Sequence, residues 1–319
     1  AVRTACGVFD VSHMGEVLIS GADAERYVNH FFTNNVEGMP VGKILYGMMC
    51  YEDGGVVDDL LVYKLAADRF FLVINAANID KDWAWIQEHA AGYDVTLEHQ
   101  SDLYGELAVQ GPEAEQVLKD VLGIDGSDLT FYTFKPLLPP PSSLHSSSSL
   151  LPPPLLSRTG YTGEDGFEIY GTHDFIRDCW DSLIAAGVQA CGLGCRDTLR
   201  FEAGLPLYGD ELSDVITPIM AGLDQFVKLH KQEFIGKEAL ARQKAEGPAR
   251  KLVGIELRDK AIPRHGYPVL KGGSVIGEVT TGYPALSTGK SVSMALIDSR
   301  YAELGTEVEI QIRKKVFPG

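Results

Sequence analysis

Glu52-Asp-Gly-Gly-Val-Val-Asp-Asp-Leu-Leu-Val-Tyr-Lys64 joins a turn signal to a strand that carries two acids. Asp53-Gly-Gly55 predicts a tight turn, because glycine reaches the positive φ angles that hairpin turns need, and a Val- and Leu-rich run follows. Asp58 and Asp59 must point to opposite faces, since successive strand side chains alternate. A strand covered on both faces buries at least one of them, which is costly unless that carboxylate is paired, hydrogen-bonded or facing a ligand. One interpretation is a solvated aspartate beside one satisfied by backbone donors, and the other is a functional carboxylate.

Length and composition predict a soluble globular protein of two or three domains. The chain has 319 residues, 45% of them hydrophobic, which is more than one ordinary core holds. No apolar run approaches the eighteen or so residues that cross a bilayer, and the first residues show no signal-peptide pattern, so we expect no membrane partner. A net charge of −16 disfavours nucleic acid as a partner, because nucleic acid binds clustered Lys and Arg.

The five cysteines are odd in number and are not spaced as CxxC pairs. This pattern predicts reduced thiols in a reducing compartment and argues against zinc bound by cysteine. We therefore expect no metal site.

A strand-turn-helix phrase begins at position 15 and again at position 105. Gly15-Glu-Val-Leu-Ile-Ser-Gly-Ala-Asp-Ala-Glu25 aligns with Gly105-Glu-Leu-Ala-Val-Gln-Gly-Pro-Glu-Ala-Glu115. Acids in a first helical turn complement the helix dipole, and Pro112 suits a first helical position. The repeat predicts a duplicated α/β unit, with a chance match of two common phrases as the alternative.

Two later stretches combine glycines with polar side chains. Ser157-Arg-Thr-Gly-Tyr-Thr-Gly-Glu-Asp-Gly-Phe-Glu-Ile-Tyr170 predicts a loop of close approach and then a strand with one acid, Glu168, between apolar neighbours. The loop matches no P-loop or dinucleotide fingerprint, so Tyr161 is interpreted as a ring-stacking group and Glu168 as a hydrogen-bond acceptor. Further on, Arg196 and Arg200 lie four apart on a predicted short helix. They form either a surface salt-bridge lattice with nearby acids or an anion-binding fork.

Composition also divides the chain into domains. Residues 135–156 are rich in proline and serine, which predicts an exposed, linker-like stretch. From Leu252 onward, short alternating strands separated by glycine turns predict a small β-barrel or sandwich. The predicted fold class is α+β: a duplicated α/β core of two subdomains over residues 1–245, which includes the 135–156 stretch, and a C-terminal β-barrel over residues 246–319. We expect this barrel to be truncated, because the chain stops where a strand should continue.

Several phrases carry a family resemblance, in this order along the chain: Val2-Arg-Thr-Ala-Cys-Gly-Val-Phe-Asp-Val-Ser-His-Met-Gly-Glu16, Gly54-Gly-Val-Val-Asp-Asp-Leu-Leu-Val-Tyr63, Val73-Ile-Asn-Ala-Ala-Asn78, Ser157-Arg-Thr-Gly-Tyr-Thr-Gly-Glu-Asp-Gly-Phe-Glu168, Arg196-Asp-Thr-Leu-Arg-Phe-Glu-Ala-Gly-Leu205, Pro263-Arg-His-Gly-Tyr-Pro-Val269 and Thr280-Thr-Gly-Tyr283. Together they resemble the aminomethyltransferases, the T-protein family of the glycine cleavage system. The resemblance implies that the core binds folate. It also implies transfer of an aminomethyl group from the lipoyl arm of H-protein to tetrahydrofolate, giving 5,10-methylenetetrahydrofolate and ammonia.

The resemblance also implies roles for individual residues. By its place in the Gly-Gly-Val-Val-Asp-Asp phrase, Asp59 is the expected catalytic acid, with Asp58 as its structural neighbour. The expected ligand-binding residues are Glu168 at the donor-rich pterin edge, Tyr46, Tyr161 and Asn75 along the rings, and Arg196 and Arg200 near the acidic tail.

Two other functions stay open. The same fold serves as the folate domain of sarcosine- and dimethylglycine-oxidising flavoenzymes, but this chain has no dinucleotide fingerprint. A non-catalytic folate-binding relative of the iron–sulfur assembly type is the second alternative, although its cysteine signature is not apparent. The expected location is a bacterial cytoplasm or a mitochondrial matrix.

Overall fold

The computed structural model describes residues 1–137 and 154–319. Its strands are β1 (Gly7–Asp10), β2 (Gly15–Ser20), β3 (Ile44–Cys50), β4 (Val56–Ala66), β5 (Arg69–Ile74), β6 (Thr96–His99), β7 (Gly105–Gln110), β8 (Phe134–Pro136), β9 (Leu155–Ser157), β10 (Gly166–Gly171), β11 (Gln189–Ala190), β12 (Arg250–Leu257), β13 (Pro268–Lys271), β14 (Ser274–Pro284), β15 (Ser291–Asp298), β16 (Glu309–Ile312) and β17 (Lys315–Pro318). Its α-helices are α1 (Ala24–Phe31), α2 (Ile79–Glu88), α3 (Ala114–Val117), α4 (His173–Ala185), α5 (Leu193–Glu202) and α6 (Lys237–Glu246). No helix in these ranges is long and apolar enough to cross a bilayer.

The described residues form two compact units, each made of three chain segments. Unit 1 comprises Ala1–Asn29, Val36–Tyr46 and Leu60–Ala203, and unit 2 comprises His30–Asn35, Gly47–Asp59 and Gly204–Gly319. The predicted division of the chain after residue 245 stays a prediction.

Unit 1 is built on two sheets. Their strand orders are β11-β1-β7-β10-β9-β8 and β3-β4-β5-β2-β6, and the ends of β3 and β4 continue into unit 2. One apolar cluster joins Leu18 and Phe71 of the second sheet to Leu155 and Tyr170 of the first. Burying such side chains contributes about 1.5–3 kcal/mol each, so this cluster holds the two sheets against each other. A second cluster packs α3 and α4 onto the first sheet.

The two repeated phrases adopt the same local structure. β2 leads through Gly21 into α1, and β7 leads through Gly111 into α3, which continues as a π-helical turn over Leu118–Leu122. Gly21 has φ 133° and Gly111 has φ 128°. A Cβ atom would lie 2.4 Å from a backbone oxygen at Gly21 and 2.3 Å from one at Gly111, so both turns require glycine. The predicted duplication is confirmed.

Unit 2 contains a six-stranded sheet in the order β12-β15-β14-β13-β16-β17. The register of β14 shifts by one residue opposite Val269 and again next to Val279, and such bulges help a sheet to curl. The Arg258 amide, just after β12, donates to the Pro318 carbonyl of β17 at 3.0 Å, so the first strand meets the last. The predicted α+β class with a C-terminal barrel is confirmed.

The prediction for residues 135–156 needs a correction at its two ends. Residues 138–153 lie outside the described residues. On either side of them, β8 and β9 pair in antiparallel fashion, and Leu155 and Leu156 are buried. These ends are therefore strands and not exposed linker, because the neighbouring strand β10 supplies β9 with hydrogen-bond partners and apolar cover.

Candidate functional site

Glu168 lies in the middle of β10 and is 5% exposed. The Thr159 hydroxyl donates to its Oε2 at 2.6 Å, and the Tyr170 hydroxyl donates to the same oxygen at 3.3 Å. A carboxylate has about four acceptor sites, so Glu168 can still accept from a ligand beside these two hydroxyl donors. Glu168 thus accepts hydrogen bonds within the protein, and its predicted role as an acceptor for a ligand stays a prediction.

These donors belong to a closed set of contacts that we call the hydroxyl ring: Glu168, Thr159, Ser157, Tyr63 and Tyr170. The Ser157 and Thr159 hydroxyls are 2.6 Å apart, and Tyr63 donates to Ser157 at 3.4 Å. The Tyr63 and Tyr170 hydroxyls, 2.9 Å apart, close the ring. Tyr63 comes from one sheet of unit 1 and Tyr170 from the other, so the ring lies between the two sheets. Burial raises the pKa of both tyrosines well above the usual range, and both therefore keep their protons.

Two more glutamates enter the same layer. Glu16 on β2 is fully buried, and within the described residues neither of its carboxyl oxygens has a hydrogen-bond partner. Burial raises the pKa of Glu16 to about 9. Glu106 on β7 lies directly opposite Tyr170 in the strand ladder and is also buried. Burial, and then the charges of Glu168 and Glu16, raise the pKa of Glu106 well above its usual range. Burial therefore favours the uncharged form of both Glu16 and Glu106.

The side chain of Gln110 holds the glycine-rich loop that follows Ser157. Its side-chain amide donates to the Thr159 carbonyl at 3.0 Å, and its side-chain oxygen accepts from the Thr162 hydroxyl at 2.8 Å. A Cβ atom at Gly160 would lie 1.9 Å from the Gln110 Oε1 atom. The predicted close approach is therefore confirmed, and the group that approaches the loop is a buried side chain.

Tyr161 and Arg196 lie together at the edge of this region. The Arg196 guanidinium carbon is 4.8 Å from the centre of the Tyr161 ring, which is a cation–π distance. The pKa of His13 is lowered, first by burial and then by Arg196, against a smaller opposite effect of Asp10. His13 is therefore neutral at pH 7, and Arg196 is the cation beside it.

Arg200 differs from Arg196. Its side chain is 1% exposed, and its Nε atom donates to the Asp197 carboxylate at 2.7 Å. Arg200 therefore forms the salt bridge with Asp197 that the first alternative predicted, but its own side chain is buried and not at the surface, because α5 turns this position into the protein. Its predicted role near the acidic end of a ligand stays a prediction.

Tyr46 and Asn75 occupy partly exposed positions in unit 1. Tyr46 lies on β3, and Asn75 directly follows β5, before a 3₁₀ turn over Ala76–Asn78. Neither residue belongs to the hydroxyl ring. Their roles along a ligand stay predictions.

Asp58 and Asp59 lie near the start of β4, in unit 2. The preceding turn has the predicted form: Gly54 has φ 91°, and the Asp53 carboxylate accepts from the Gly55 amide at 3.0 Å. Asp58 is fully buried and Asp59 is partly exposed, as strand alternation requires of opposite faces. Of the two acids, Asp59 is the one with access to solvent.

The sequence interpretation missed Glu16, Glu106, Tyr63, Tyr170, Ser157 and Thr159. Two signals were available. The aligned phrases place a glutamate second in both copies, and Tyr170 lies two residues after Glu168, hence on the same strand face. Within the described ranges, no group of three or more His, Cys, Asp or Glu side chains is arranged to hold a metal ion.

The chemistry of these side chains suits one class of ligand. A buried acceptor carboxylate pairs with a donor-rich edge, an aromatic ring packs against a flat heterocycle, and an arginine suits an anionic end. The fold that carries these groups is an α/β core with a C-terminal barrel.

Comparison with known proteins identifies the family. The GCVT N-terminal domain matches residues 1–231, and the glycine cleavage T-protein C-terminal barrel domain matches residues 250–319. The chain is 51% identical to an aminomethyltransferase of Lysinibacillus sphaericus, over 99% of this chain and 84% of that protein. It is 50% identical to one of Alkaliphilus oremlandii, over 99% and 85%. The crystal structure of glycine cleavage system aminomethyltransferase T from Bartonella henselae matches with a TM-score of 0.91 at 31% identity, over 99% of this chain and 85% of that one. The chain belongs to the glycine cleavage T-protein family.

Proposed function

We propose that this protein is the aminomethyltransferase of a glycine cleavage system. It takes the aminomethyl group from the lipoyl arm of H-protein and passes the carbon to tetrahydrofolate, giving 5,10-methylenetetrahydrofolate, ammonia and the dihydrolipoyl arm. Family membership over both domains supports this reaction. The observation that carries it is Glu168, a buried carboxylate held by two hydroxyl donors.

Glu168 would hold the pterin. The pterin edge presents an amide-like N–H and an exocyclic amine, and a carboxylate accepts from both. Arg196 would face the acidic tail of the folate, with Arg200 as the second candidate, and the Tyr161 ring would pack against the ligand. Tyr46 and Asn75 complete the proposed binding residues. Each of these roles comes from the family resemblance and the side-chain chemistry.

Asp59 would manage the proton of the attacking amine. Two folate nitrogens bond to the transferred carbon and lose one proton each, while the bonds from that carbon to the amino nitrogen and to the lipoyl sulfur break. The two protons leave on ammonia and on the thiol, so the step balances. A carboxylate beside the amine can orient it and relay its proton, and Asp59 has the access that the fully buried Asp58 lacks.

The proposed partner is the lipoyl-bearing H-protein. Neither nucleic acid nor a membrane is an expected partner, because the chain carries a net charge of −16 and no long apolar run. The proposed location is a bacterial cytoplasm or a mitochondrial matrix, and the bacterial relatives favour the former. The proposed domains remain residues 1–245 and 246–319.

The test replaces Asp59 with Asn, which keeps its shape and removes its proton chemistry. We expect the rate of transfer from aminomethyl-loaded H-protein to fall roughly 10²- to 10⁴-fold, which is the usual contribution of a general acid or base. Calorimetry should show tetrahydrofolate affinity largely unchanged. Glu52→Gln, an exposed carboxylate of the same stretch, is the matched control and should keep the full rate. A wild-type rate in Asp59→Asn would overturn the assignment of this residue.

A further inference from the structure

The hydroxyl ring has fewer protons than contacts. Five contacts close it, whereas its four hydroxyls, on Thr159, Ser157, Tyr63 and Tyr170, carry one proton each and an ionised Glu168 carries none. One contact therefore lacks a proton at any moment. The ring has no proton to spare for a further acceptor.

Glu106 is the further group that reaches this ring. It lies directly opposite Tyr170 in the β7–β10 ladder, so the two side chains are neighbours on the same face of the sheet. Its Oε2 atom has no partner among the described residues. An unpartnered oxygen is less costly on a neutral carboxyl group than on a charged one, because burial penalises charge far more strongly than polarity.

The surroundings of Glu106 also favour its neutral form. The titratable and charged groups that face it from the packed elements are Glu168 and Tyr170 of β10, Glu16 of β2, Tyr63 of β4 and Arg196 of α5. Burial and the two carboxylates raise the pKa of Glu106, and only the smaller effects of Arg196 and Tyr170 oppose them.

We propose that Glu106 is a neutral acid that donates its proton to the Tyr170 hydroxyl oxygen and so leaves the Tyr170 proton for Glu168. An ionised Glu106 would instead accept the hydrogen bond of the Tyr170 hydroxyl. Glu168 would then keep Thr159 as its one ring donor and gain a second negative charge nearby. Glu106 is thus a positioning residue for the acceptor that holds the ligand. This inference rests on the proposed function, since it names Glu168 as that acceptor.

The first experiment tests the proton itself and needs no ligand. Infrared spectroscopy at pH 7 detects the C=O stretch of protonated carboxyl groups. The wild-type protein should show bands that Glu106→Gln and Glu16→Gln each reduce by one carboxyl. If Glu106→Gln leaves the protonated-carboxyl bands unchanged, Glu106 is ionised and the proposal is overturned.

The second experiment follows tetrahydrofolate affinity against pH by calorimetry under nitrogen. Glu106→Gln should bind within about threefold of wild type at pH 7, because its amide N–H can still donate to Tyr170, whereas Glu106→Leu should lose roughly tenfold. Wild-type affinity should fall at the alkaline pH at which Glu106 ionises, and the Gln variant should not show this fall. Identical pH profiles for wild type and Glu106→Gln, or full affinity in Glu106→Leu, would overturn the proposal.

Two further variants distinguish failure of the proposed folate site from failure of the role of Glu106. Glu16→Gln removes the equivalent buried carboxyl in the first repeat, outside the hydroxyl ring, and should bind as wild type does at pH 7. Glu168→Ala tests the proposed function. If it binds tetrahydrofolate normally, the proposed site fails. If it binds weakly while the Glu106 profiles do not differ as described, the role of Glu106 alone fails.

Discussion

The two repeats of unit 1 share a backbone but differ in what faces their buried glutamates. Glu16 and Glu106 occupy the same position in β2 and β7, and each strand leads through a positive-φ glycine into a helix. Across the ladder, however, Glu16 is paired with Val73, whereas Glu106 is paired with Tyr170. Duplication therefore supplies two equivalent buried positions. The residue on the neighbouring strand decides whether the glutamate there faces a polar side chain or an apolar one.

The largest expected effect tests whether the two repeats, each a strand, a glycine turn and a helix, depend equally on their turn glycine for stability. Gly21→Ala and Gly111→Ala should each lose about 3 kcal/mol of unfolding free energy in urea titrations, because each adds a Cβ at positive φ and against a backbone oxygen. Gly92→Ala is the control. Its φ is 88°, and nothing lies within 4 Å of the added atom, so it should lose only about 1 kcal/mol. Costs for Gly21 and Gly111 that differ widely would break the equivalence.

A smaller effect tests how much the buried carboxyl of Glu16 changes the free energy of unfolding with pH. Because the folded-state pKa of Glu16 is about 9 and its ordinary value is 4.5, the folded state binds the extra proton between these pH values. The contribution of Glu16 to stability is then largest below pH 4.5 and is lost as pH rises toward 9, by at most about 1.4 kcal/mol per pH unit. Glu16→Gln should flatten this part of the stability profile, measured by urea unfolding at successive pH values.

The control for that profile is Glu88→Gln, which changes an exposed glutamate of α2. It should leave the slope unchanged. A slope in Glu16→Gln equal to that of wild type would mean that Glu16 is not protonated in the folded protein, and the contrast between the two repeats would lose its energetic basis.

Local signals in the sequence were enough to predict the turn before β4, the duplicated unit and the acceptor on β10. Asp53-Gly-Gly55 predicted the turn before β4, the repeated phrases predicted the duplicated unit, and a lone acid between apolar neighbours predicted Glu168 as an acceptor. Each of these depends on residues close together in the chain. Strand alternation likewise separated Asp58 from Asp59.

The hydroxyl ring could not be predicted in this way. Tyr63 and Tyr170 are far apart in sequence and meet only because two sheets pack face to face. The burial of Arg200 depends on how α5 packs, and the strands at the ends of residues 135–156 form only because β10 lies beside them. In each case, the sequence does not show which helices and strands pack against each other.

The most direct test of the account is a calorimetric titration of tetrahydrofolate into wild type, Glu168→Ala and Glu16→Ala. Removing the acceptor of charge-assisted hydrogen bonds should cost about 1.5–3 kcal/mol, so Glu168→Ala should bind roughly 10- to 100-fold more weakly. Glu16→Ala removes an equally buried carboxyl that lies outside the hydroxyl ring, and it should bind within about threefold of wild type. Undiminished affinity in Glu168→Ala would contradict the account and move the folate site away from the hydroxyl ring.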